Sequence, residues 1–167
     1  MVDHEAWSKL REMSRDFLQP WEGTWKKDAL NRDSFYNLLY GRWLKYFYQA
    51  AYTWQIFLRG ADGKPGELVG GISIENIYRG HEQKATLSYW IGQHYAHQGY
   101  MSEAARLVCD FGFETLKLRS LEASCSPENE ASKRLLQRLG FAEVGATDRQ
   151  YINGKWRDMI LWNKMRT

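Results

Sequence analysis

The chain has 167 residues, of which 44% are hydrophobic and 26% are charged, and its formal net charge is +3. This length and composition predict one globular domain over residues 1–167 and exclude a low-complexity chain. No apolar run approaches the ~20 residues that span a bilayer, and the segment MVDHEAWSKLRE lacks the order of a signal peptide. We therefore expect a cytoplasmic protein that does not bind a membrane. The small excess of positive charge does not establish that the protein binds a polyanion.

Hydrophobic spacing predicts two N-terminal helices followed by a β-rich segment. The first helix runs from Asp3 to Phe17, and LQPWEGTW then forms a loop. The second runs from about Asn31 to Tyr52, with Arg42 and Lys45 left for solvent. Its predicted apolar face consists of Phe35, Leu38, Leu39, Leu44 and Phe47. Residues 53–78 then form a hairpin, and ATLSYWIG is a third strand.

The second half of the chain alternates helices with strands. Helical spacing runs from Gly99 to about Leu116, SLEASC indicates a strand, and SPENEASKRLLQRLGF indicates a helix that stops at Gly140. The dipeptide Asn153-Gly154 is a strong β-hairpin signal. The predicted order is therefore two helices, three strands, helix, strand, helix and two strands. Cys109 and Cys125 fall in a helix and a strand, which favours buried free thiols over a disulfide.

Two segments could carry chemistry, although the sequence has no GxxxxGK[ST], GxGxxG, CxxC or HExxH and predicts no metal site. In IGQHYAHQGYMSEAAR, Gly99 opens a helix whose first N–H groups and dipole can hold an anion. In SPENEASKRLL, Asn129 and Ser132 lie one turn apart on one helix face. For that segment alone, an ordinary N-cap with a second polar residue is the simpler interpretation.

In this order, the segments resemble the GNAT superfamily of N-acetyltransferases across roughly residues 53–164. More narrowly, FLQPWEGTW, LVGGISIENIYRG, SYWIG, QGYMSEAARL, CSPENEASKRLLQRLGF and YINGKWRD are similar to the RimJ and RimL type, the ribosomal-protein alanine N-acetyltransferases. The resemblance implies an α/β (α+β) fold with a mixed, V-shaped central sheet flanked by helices. Acetyl-coenzyme A would lie where two neighbouring strands splay. Because Asp3 already indicates a helix, we expect the family's first strand to be short or absent.

The resemblance also implies a donor-binding site. Main-chain groups of the SYWIG strand would run beside the pantetheine, and N–H groups from His97 through Ser102 would bind the pyrophosphate. The implied set is Tyr89, Trp90, Ile91, His97, Gln98, Gly99, Tyr100, Met101, Ser102 and Asn129. Ala96 and Met101 occupy the two ends of the superfamily's phosphate motif, so the expected cradle relies on main-chain N–H groups.

The expected catalytic groups follow from the chemistry of the leaving thiolate. Leu136 stands where many members carry a tyrosine that protonates the thiolate, which excludes that mechanism. We expect Ser132, with Asn129 beside it, to hydrogen-bond or protonate the sulfur, a role that the RimL-type pattern also suggests. The main-chain N–H near Ile91 is the expected oxyanion donor.

Two carboxylates and four rings are candidates on the acceptor side. Glu75 and Glu22 are candidate bases or amine-binding groups, and the alternative for each is a solvated or structural carboxylate. The predicted substrate-binding residues are Trp21, Glu22, Trp25, Tyr151 and Trp156. The alternative for the rings is packing at the rim of the domain.

The sequence thus favours an N-acetyltransferase that transfers acetyl from acetyl-coenzyme A to a protein N-terminus, by resemblance that of a ribosomal protein, through a tetrahedral intermediate. One alternative acceptor is a small amine, because acceptors vary on a shared fold. A noncatalytic acyl-coenzyme A sensor is another alternative. A module that stacks nucleic-acid bases on its rings is disfavoured by the near-neutral charge. A monomer and a homodimer both remain open.

Overall fold

The computed structural model describes residues 4–60 and 62–166, with Asp148 described by its backbone alone. Three helices precede the first strand: α1 (His4–Met13), α2 (Arg15–Leu18) and α3 (Arg32–Phe47). The predicted first helix is therefore wrong in extent, because the chain divides it at Ser14, and its predicted start, Asp3, lies outside the described residues. The buried Ser14 hydroxyl accepts a hydrogen bond from the Gln93 N–H at 2.9 Å, which ties this break to the end of a distant strand.

A six-stranded mixed sheet forms the centre of the fold, in the spatial order β1-β2-β3-β4-β6-β5. The strands are β1 (Tyr52–Arg59), β2 (Pro65–Tyr78), β3 (Lys84–Ile91), β4 (Ser120–Cys125), β5 (Ala142–Ile152) and β6 (Lys155–Met165). Helix α4 (Tyr100–Asp110) continues into a π-helical turn and connects β3 to β4, and α5 (Glu130–Arg138) connects β4 to β5. From β1 onward the predicted order of elements is confirmed, whereas three helices rather than the predicted two precede it, and within residues 4–60 the first strand is β1.

The register between β3 and β4 gives the sheet its V shape. These strands are parallel, and their pairing runs from Lys84↔Ser120 to Thr86↔Glu122. Beyond Thr86, β3 stays paired with β2 as far as Gly70↔Ile91, while β4 stays paired with β6 as far as Cys125↔Ile160. The two strands therefore part over the second half of β3, and the predicted V-shaped sheet is confirmed.

Two hydrophobic clusters hold helices on opposite faces of the sheet. The larger packs α4 and α5 against the strands and includes Cys109 and Cys125, which are buried and free, as predicted. The smaller is centred on Trp7, Leu10, Phe35 and Leu68 and holds α1 and α3. Within the described residues, no helix is long and apolar enough to cross a membrane.

Helix α3 packs differently from the prediction. Phe35 is buried as expected, but Leu38 and Phe47 are 37% and 67% exposed, and Arg42, predicted in solvent, is half-buried. The Gln55 amide can be oriented so that both its nitrogen and its oxygen are hydrogen-bonded. In that orientation Arg42 Nη1 donates to Gln55 Oε1 at 3.0 Å. Aromatic residues lie on several sides of this helix, so hydrophobic periodicity could not identify the side that faces the sheet.

Candidate active site

The main chain of β3 is open toward β4 in the splay. The Gln83 carbonyl accepts from the Arg119 N–H on the β4 side at 2.7 Å, whereas the Gly92 N–H donates to Val69 on the β2 side at 2.8 Å. Since alternate residues of a strand direct their main-chain groups to opposite edges, those of Tyr89 and Ile91 point toward β4. The strand register has already ended there. An extended ligand with amide groups can therefore pair with β3 as a strand would.

Gly99 begins α4 in a left-handed conformation, with φ of +91°. A Cβ built on Gly99 would meet no atom within 4 Å, so the space in front of this helix start is open. His97 also has a positive φ, of 63°, and the N–H groups of the first helical turn lack partners within the helix. Residues 97–102 thus form an open main-chain concavity that suits a phosphate group.

The Tyr89 side chain reaches α5. Its hydroxyl lies 2.7 Å from Ser132 Oγ, and Ser132 is buried at 9% exposure. Burial raises the pKa of the Tyr89 phenol above its usual range, so the phenol stays protonated at neutral pH. The structure therefore brings together two of the predicted residues, Tyr89 from the donor-binding set and Ser132 from the catalytic set, as a pair of hydroxyl groups beside the splay.

Asn129 and Cys125 flank this pair. Asn129 Oδ1 accepts from the Ser132 main-chain N–H at 3.0 Å, which makes Asn129 the N-cap of α5. Burial raises the pKa of the Cys125 thiol, and a hydrogen bond with Ser132 opposes that shift. The Asn129 side chain thus orients the helix that carries Ser132.

Trp90 lies on the opposite face of β3, where its ring contacts the Arg11 guanidinium. A Cβ on Gly71 would lie 2.5 Å from Trp90 Nε1, so the indole needs a glycine at this close approach. The Arg11 guanidinium lies 4.9 Å from the Trp90 ring and 4.4 Å from the Trp25 ring. It also pairs with the Glu22 carboxylate, which accepts from Trp25 Nε1 at 2.8 Å.

These contacts favour the structural interpretation of Glu22. One of its oxygens is held by both Arg11 and Trp25, so the carboxylate anchors the loop between α2 and α3 against β3. The Arg11 and Glu22 side chains are 13% and 26% exposed. The two contacts occupy the Oε2 atom of this carboxylate with groups of the protein itself.

We expect Arg11→Ala to lower the free energy of unfolding by about 2 kcal/mol, between the ~0–1 of an exposed ion pair and the ~3–5 of a fully buried one. The midpoint of urea unfolding measures this loss. Arg149→Ala is the matched control, because Arg149 pairs with Asp158 at the surface, with side chains 61% and 76% exposed. Equal midpoints for the two variants would contradict the anchoring role.

A polar cleft of about 550 Å³ lies between this anchored loop and α3, and its lining includes Glu22, Trp25, Asp28, Ser34 and Asn37. The predicted loop residues Glu22 and Trp25 therefore face a cavity, whereas Trp21 is 36% exposed. The hairpin rings of Tyr151 and Trp156 contact each other at 5.5 Å.

The hairpin and the anchored loop stand on either side of the splay. Gln150 Nε2 donates to Ser124 Oγ at 3.3 Å, which brings the hairpin beside the diverging end of β4. The Arg11–Trp90 contact holds the loop against the corresponding end of β3. The two predicted acceptor segments thus face the opening from opposite strands.

Glu75 is separated from the other predicted catalytic residues. It pairs in register with Thr86, whereas Ile91 pairs with Gly70, so the two positions are five residue steps, or roughly 16 Å, apart along the strand. The Glu75 carboxylate accepts from the Ser73 hydroxyl at 2.9 Å. Direct proton transfer from an amine at Ile91 to Glu75 is therefore not supported by the register.

Sequence reasoning missed the groups that support the site. It gave Tyr89 only main-chain contacts, and it did not single out Arg11 at all. Trp7, Arg11 and Ser14 share one helical spacing, which could have indicated that Arg11 lies on the buried side of α1. The Tyr89–Ser132 contact joins residues 43 positions apart, and no local pattern signals it.

A splayed parallel strand pair, an open helix start at Gly99 and a hydroxyl pair beside the opening suit an acyltransferase that uses coenzyme A thioesters. The acetyltransferase (GNAT) domain family matches residues 3–142, and the chain belongs to this family. It is an N-acetyltransferase whose acetyl donor is acetyl-coenzyme A. The predicted resemblance is thereby confirmed.

Three relatives give the nearer context. The chain is 30% identical to the ribosomal protein uS5-alanine N-acetyltransferase of Escherichia coli (strain K12), over 95% of this chain and 81% of that one. It is 39% identical to the probable N-acetyltransferase YjcK of Bacillus subtilis (strain 168), over 54% of this chain and 51% of that one, about half of the relative's length. Mycobacterium smegmatis RimJ, solved in complex with CoA-disulfide, superposes with a TM-score of 0.88 at 29% identity, covering 98% of this chain and 77% of that one.

Proposed function

We propose that this enzyme acetylates the N-terminal α-amine of a protein, and that the protein is a ribosomal one. The observation that carries the proposal is the 30% identity to the uS5-alanine enzyme across 95% of this chain. The near-complete coverage includes both segments that flank the splay, and acceptor specificity on this fold depends on such segments.

The reaction begins with attack of a neutral amine on the thioester carbonyl. The new C–N bond forms as the carbonyl π electrons move to oxygen, which gives a tetrahedral oxyanion. The Ile91 N–H, directed into the splay, is our candidate donor to this oxyanion. One preorganised donor of this kind contributes about 3 kcal/mol to transition-state stability.

Collapse of the intermediate breaks the C–S bond, and the sulfur leaves with the bonding electrons. We assign Ser132 as the residue that donates a hydrogen bond or a proton to this sulfur. If Tyr89 donates to Ser132 Oγ, the hydrogen of the serine is free to face the thiolate. Tyr89 is then a positioning residue that orients and polarises Ser132, and the amine's surplus proton leaves through solvent.

The choice of an α-amine relaxes the need for a strong base. A free α-amine has a pKa of about 7.7–8.0 and is appreciably neutral at cellular pH, whereas lysine, at about 10.4, costs almost 4 kcal/mol to reach the same state. Of the two carboxylates that line the cleft, Glu22 and Asp28, Glu22 is already hydrogen-bonded to Arg11 and Trp25. This arrangement fits an acceptor of which an appreciable fraction is already neutral at cellular pH.

The charge of the cleft weighs against a polyamine as the acceptor. Its charged lining residues are Arg11, Lys26, Glu22 and Asp28, so cations and anions balance. A polyamine with several positive charges needs a surplus of carboxylates, and the Glu22 carboxylate is already paired with Arg11. A peptide end, with one amine and several main-chain amides, suits the balanced lining better.

The test presents the purified enzyme with acetyl-coenzyme A and a panel of peptides that differ at residue one, and locates the acetyl group by mass spectrometry. We expect acetylation of the α-amine, with a preference for alanine or another small first residue. Each peptide carries an internal lysine, and a copy with a blocked N-terminus is the control. Acetylation of lysine alone, or of added spermidine in preference to every peptide, would overturn the proposal.

A further inference from the structure

Helix α3 carries four exposed aromatic side chains along one line, which we call the aromatic stripe: Tyr36, Tyr40, Trp43 and Phe47. Their exposed fractions are 51%, 61%, 57% and 67%. Tyr40 and Trp43 stack with centroids 6.0 Å apart, and Trp43 and Phe47 stack at 5.9 Å. Tyr40, Trp43 and Phe47 thus form one continuous stack, and Tyr36 lies one helical turn before it.

The packing of this chain does not account for the stripe. Helix α3 contacts the smaller hydrophobic cluster through Phe35 and Leu39, which lie about a quarter turn away from the stripe on the helix. A fully exposed aromatic side chain has an accessible surface of about 200 Å². With the exposed fractions given above, the stripe exposes roughly 500 Å² to solvent. Patches of this size on a soluble protein usually mark an interaction surface.

The spacing of the stripe is the same when it is read in either direction. The intervals between its four rings are four, three and four residues, so the sequence of intervals is palindromic. An antiparallel α3 from a second copy would place Tyr36 opposite Phe47 and Tyr40 opposite Trp43, and the twofold axis would repeat both contacts. A surface that complements itself in this way is what a symmetric dimer requires.

The area and chemistry also fit a second copy. A stable interface buries about 800 Å² per partner, and the stripe supplies more than half of that. Tyr48, 73% exposed just beyond the helix end, extends the apolar surface. The four stripe positions carry no charged residue, and homodimer interfaces are more apolar than other protein interfaces.

We propose that this enzyme forms a symmetric homodimer in which the aromatic stripes of two α3 helices pack against each other antiparallel. The acceptor protein is the competing occupant. If the acceptor protein occupies the stripe, the stripe does not join two copies of the enzyme. Substitutions in the stripe then leave the mass of the enzyme alone unchanged.

Sedimentation equilibrium of the purified protein at micromolar concentration tests the dimer. The chain mass is 19.7 kDa, and we expect the wild type to sediment at twice that value. Trp43→Glu should return the protein to the chain mass, with an unchanged far-ultraviolet circular dichroism spectrum. Phe47→Lys, at the most exposed end of the stripe, should do the same and serves as a second variant if the first does not fold.

Leu107→Glu is the matched control, because Leu107 is 65% exposed on α4, away from the stripe. It should remain a dimer. A monomeric wild type would overturn the proposal, whether or not it binds an acceptor protein. A wild-type dimer that persists in both folded stripe variants would also overturn it, because the interface would then lie elsewhere.

Discussion

Replacement of Gly99 by valine is expected to weaken acetyl-coenzyme A binding at least about 100-fold, which corresponds to about 2.7 kcal/mol, while the protein stays folded. At φ of +91° an L-residue is strained by roughly 1–2 kcal/mol, and a β-branched one adapts least. The chain relieves this strain by changing φ, which turns the N–H groups of residues 97–102 away from one another. Titration calorimetry with acetyl-coenzyme A measures the loss.

The control for Gly99 is Gly63→Val. Gly63 lies in the β1–β2 turn with φ of +76°, and a Cβ there also meets no atom within 4 Å, so the backbone strain is similar and the location is different. Gly99→Asn should retain most of the affinity, because asparagine tolerates the left-handed conformation. Equal affinities for Gly63→Val and Gly99→Val would show that the concavity does not hold the pyrophosphate.

Ser132→Ala is expected to lower kcat about 100-fold, in the range of general-acid contributions, with the KM for acetyl-coenzyme A nearly unchanged. The side chain acts on the sulfur only as the C–S bond breaks. Its loss therefore raises the free energy of the transition state and leaves that of the bound ground state nearly unchanged. Steady-state kinetics that detect released thiol provide the measurement. Ser120→Ala, a buried serine at the far end of β4, should have little effect on kcat.

A second variant separates catalysis from stability at this position. Ser132→Ala leaves the Tyr89 hydroxyl without its 2.7 Å partner, which costs about 1–3 kcal/mol of folding stability. Tyr89→Phe in the same chain removes the orphaned hydroxyl, so the double variant should regain stability but not kcat. Wild-type turnover in Ser132→Ala would rule out the serine as the group that acts on sulfur.

The parts of the fold that were predictable from sequence are those with local signals. The Asn153-Gly154 turn has positive φ at both residues, 45° and 77°, as the preferred two-residue hairpin requires. Gly99 likewise adopts the conformation that only glycine reaches without strain. Such positions are determined by neighbouring residues, and one sequence is enough to identify them.

The rest depends on contacts between distant residues. Arg42 was expected in solvent, but Gln55 in β1 offers it a partner across the sheet. Glu75 was named as a candidate base because a carboxylate can accept the proton of an amine, and only the strand register shows that it lies five register positions from Ile91. Hydrophobic periodicity indicates which residues lie on the same face of a helix or strand. Which residues of other elements that face contacts depends on the tertiary packing.

The short parallel pairing of β3 with β4 joins the two halves of the sheet. On either side of it stand two antiparallel units, β1-β2-β3 and β4-β6-β5, and three residue pairs join them. A donor lying in the gap would hydrogen-bond one unit while its thiol end rests against α5 of the other. Acetyl-coenzyme A would then act as a structural bridge as well as a reactant, and saturation at about 100 times Kd would add roughly 2.7 kcal/mol of stability, beside the contacts of the larger hydrophobic cluster, which already spans both units.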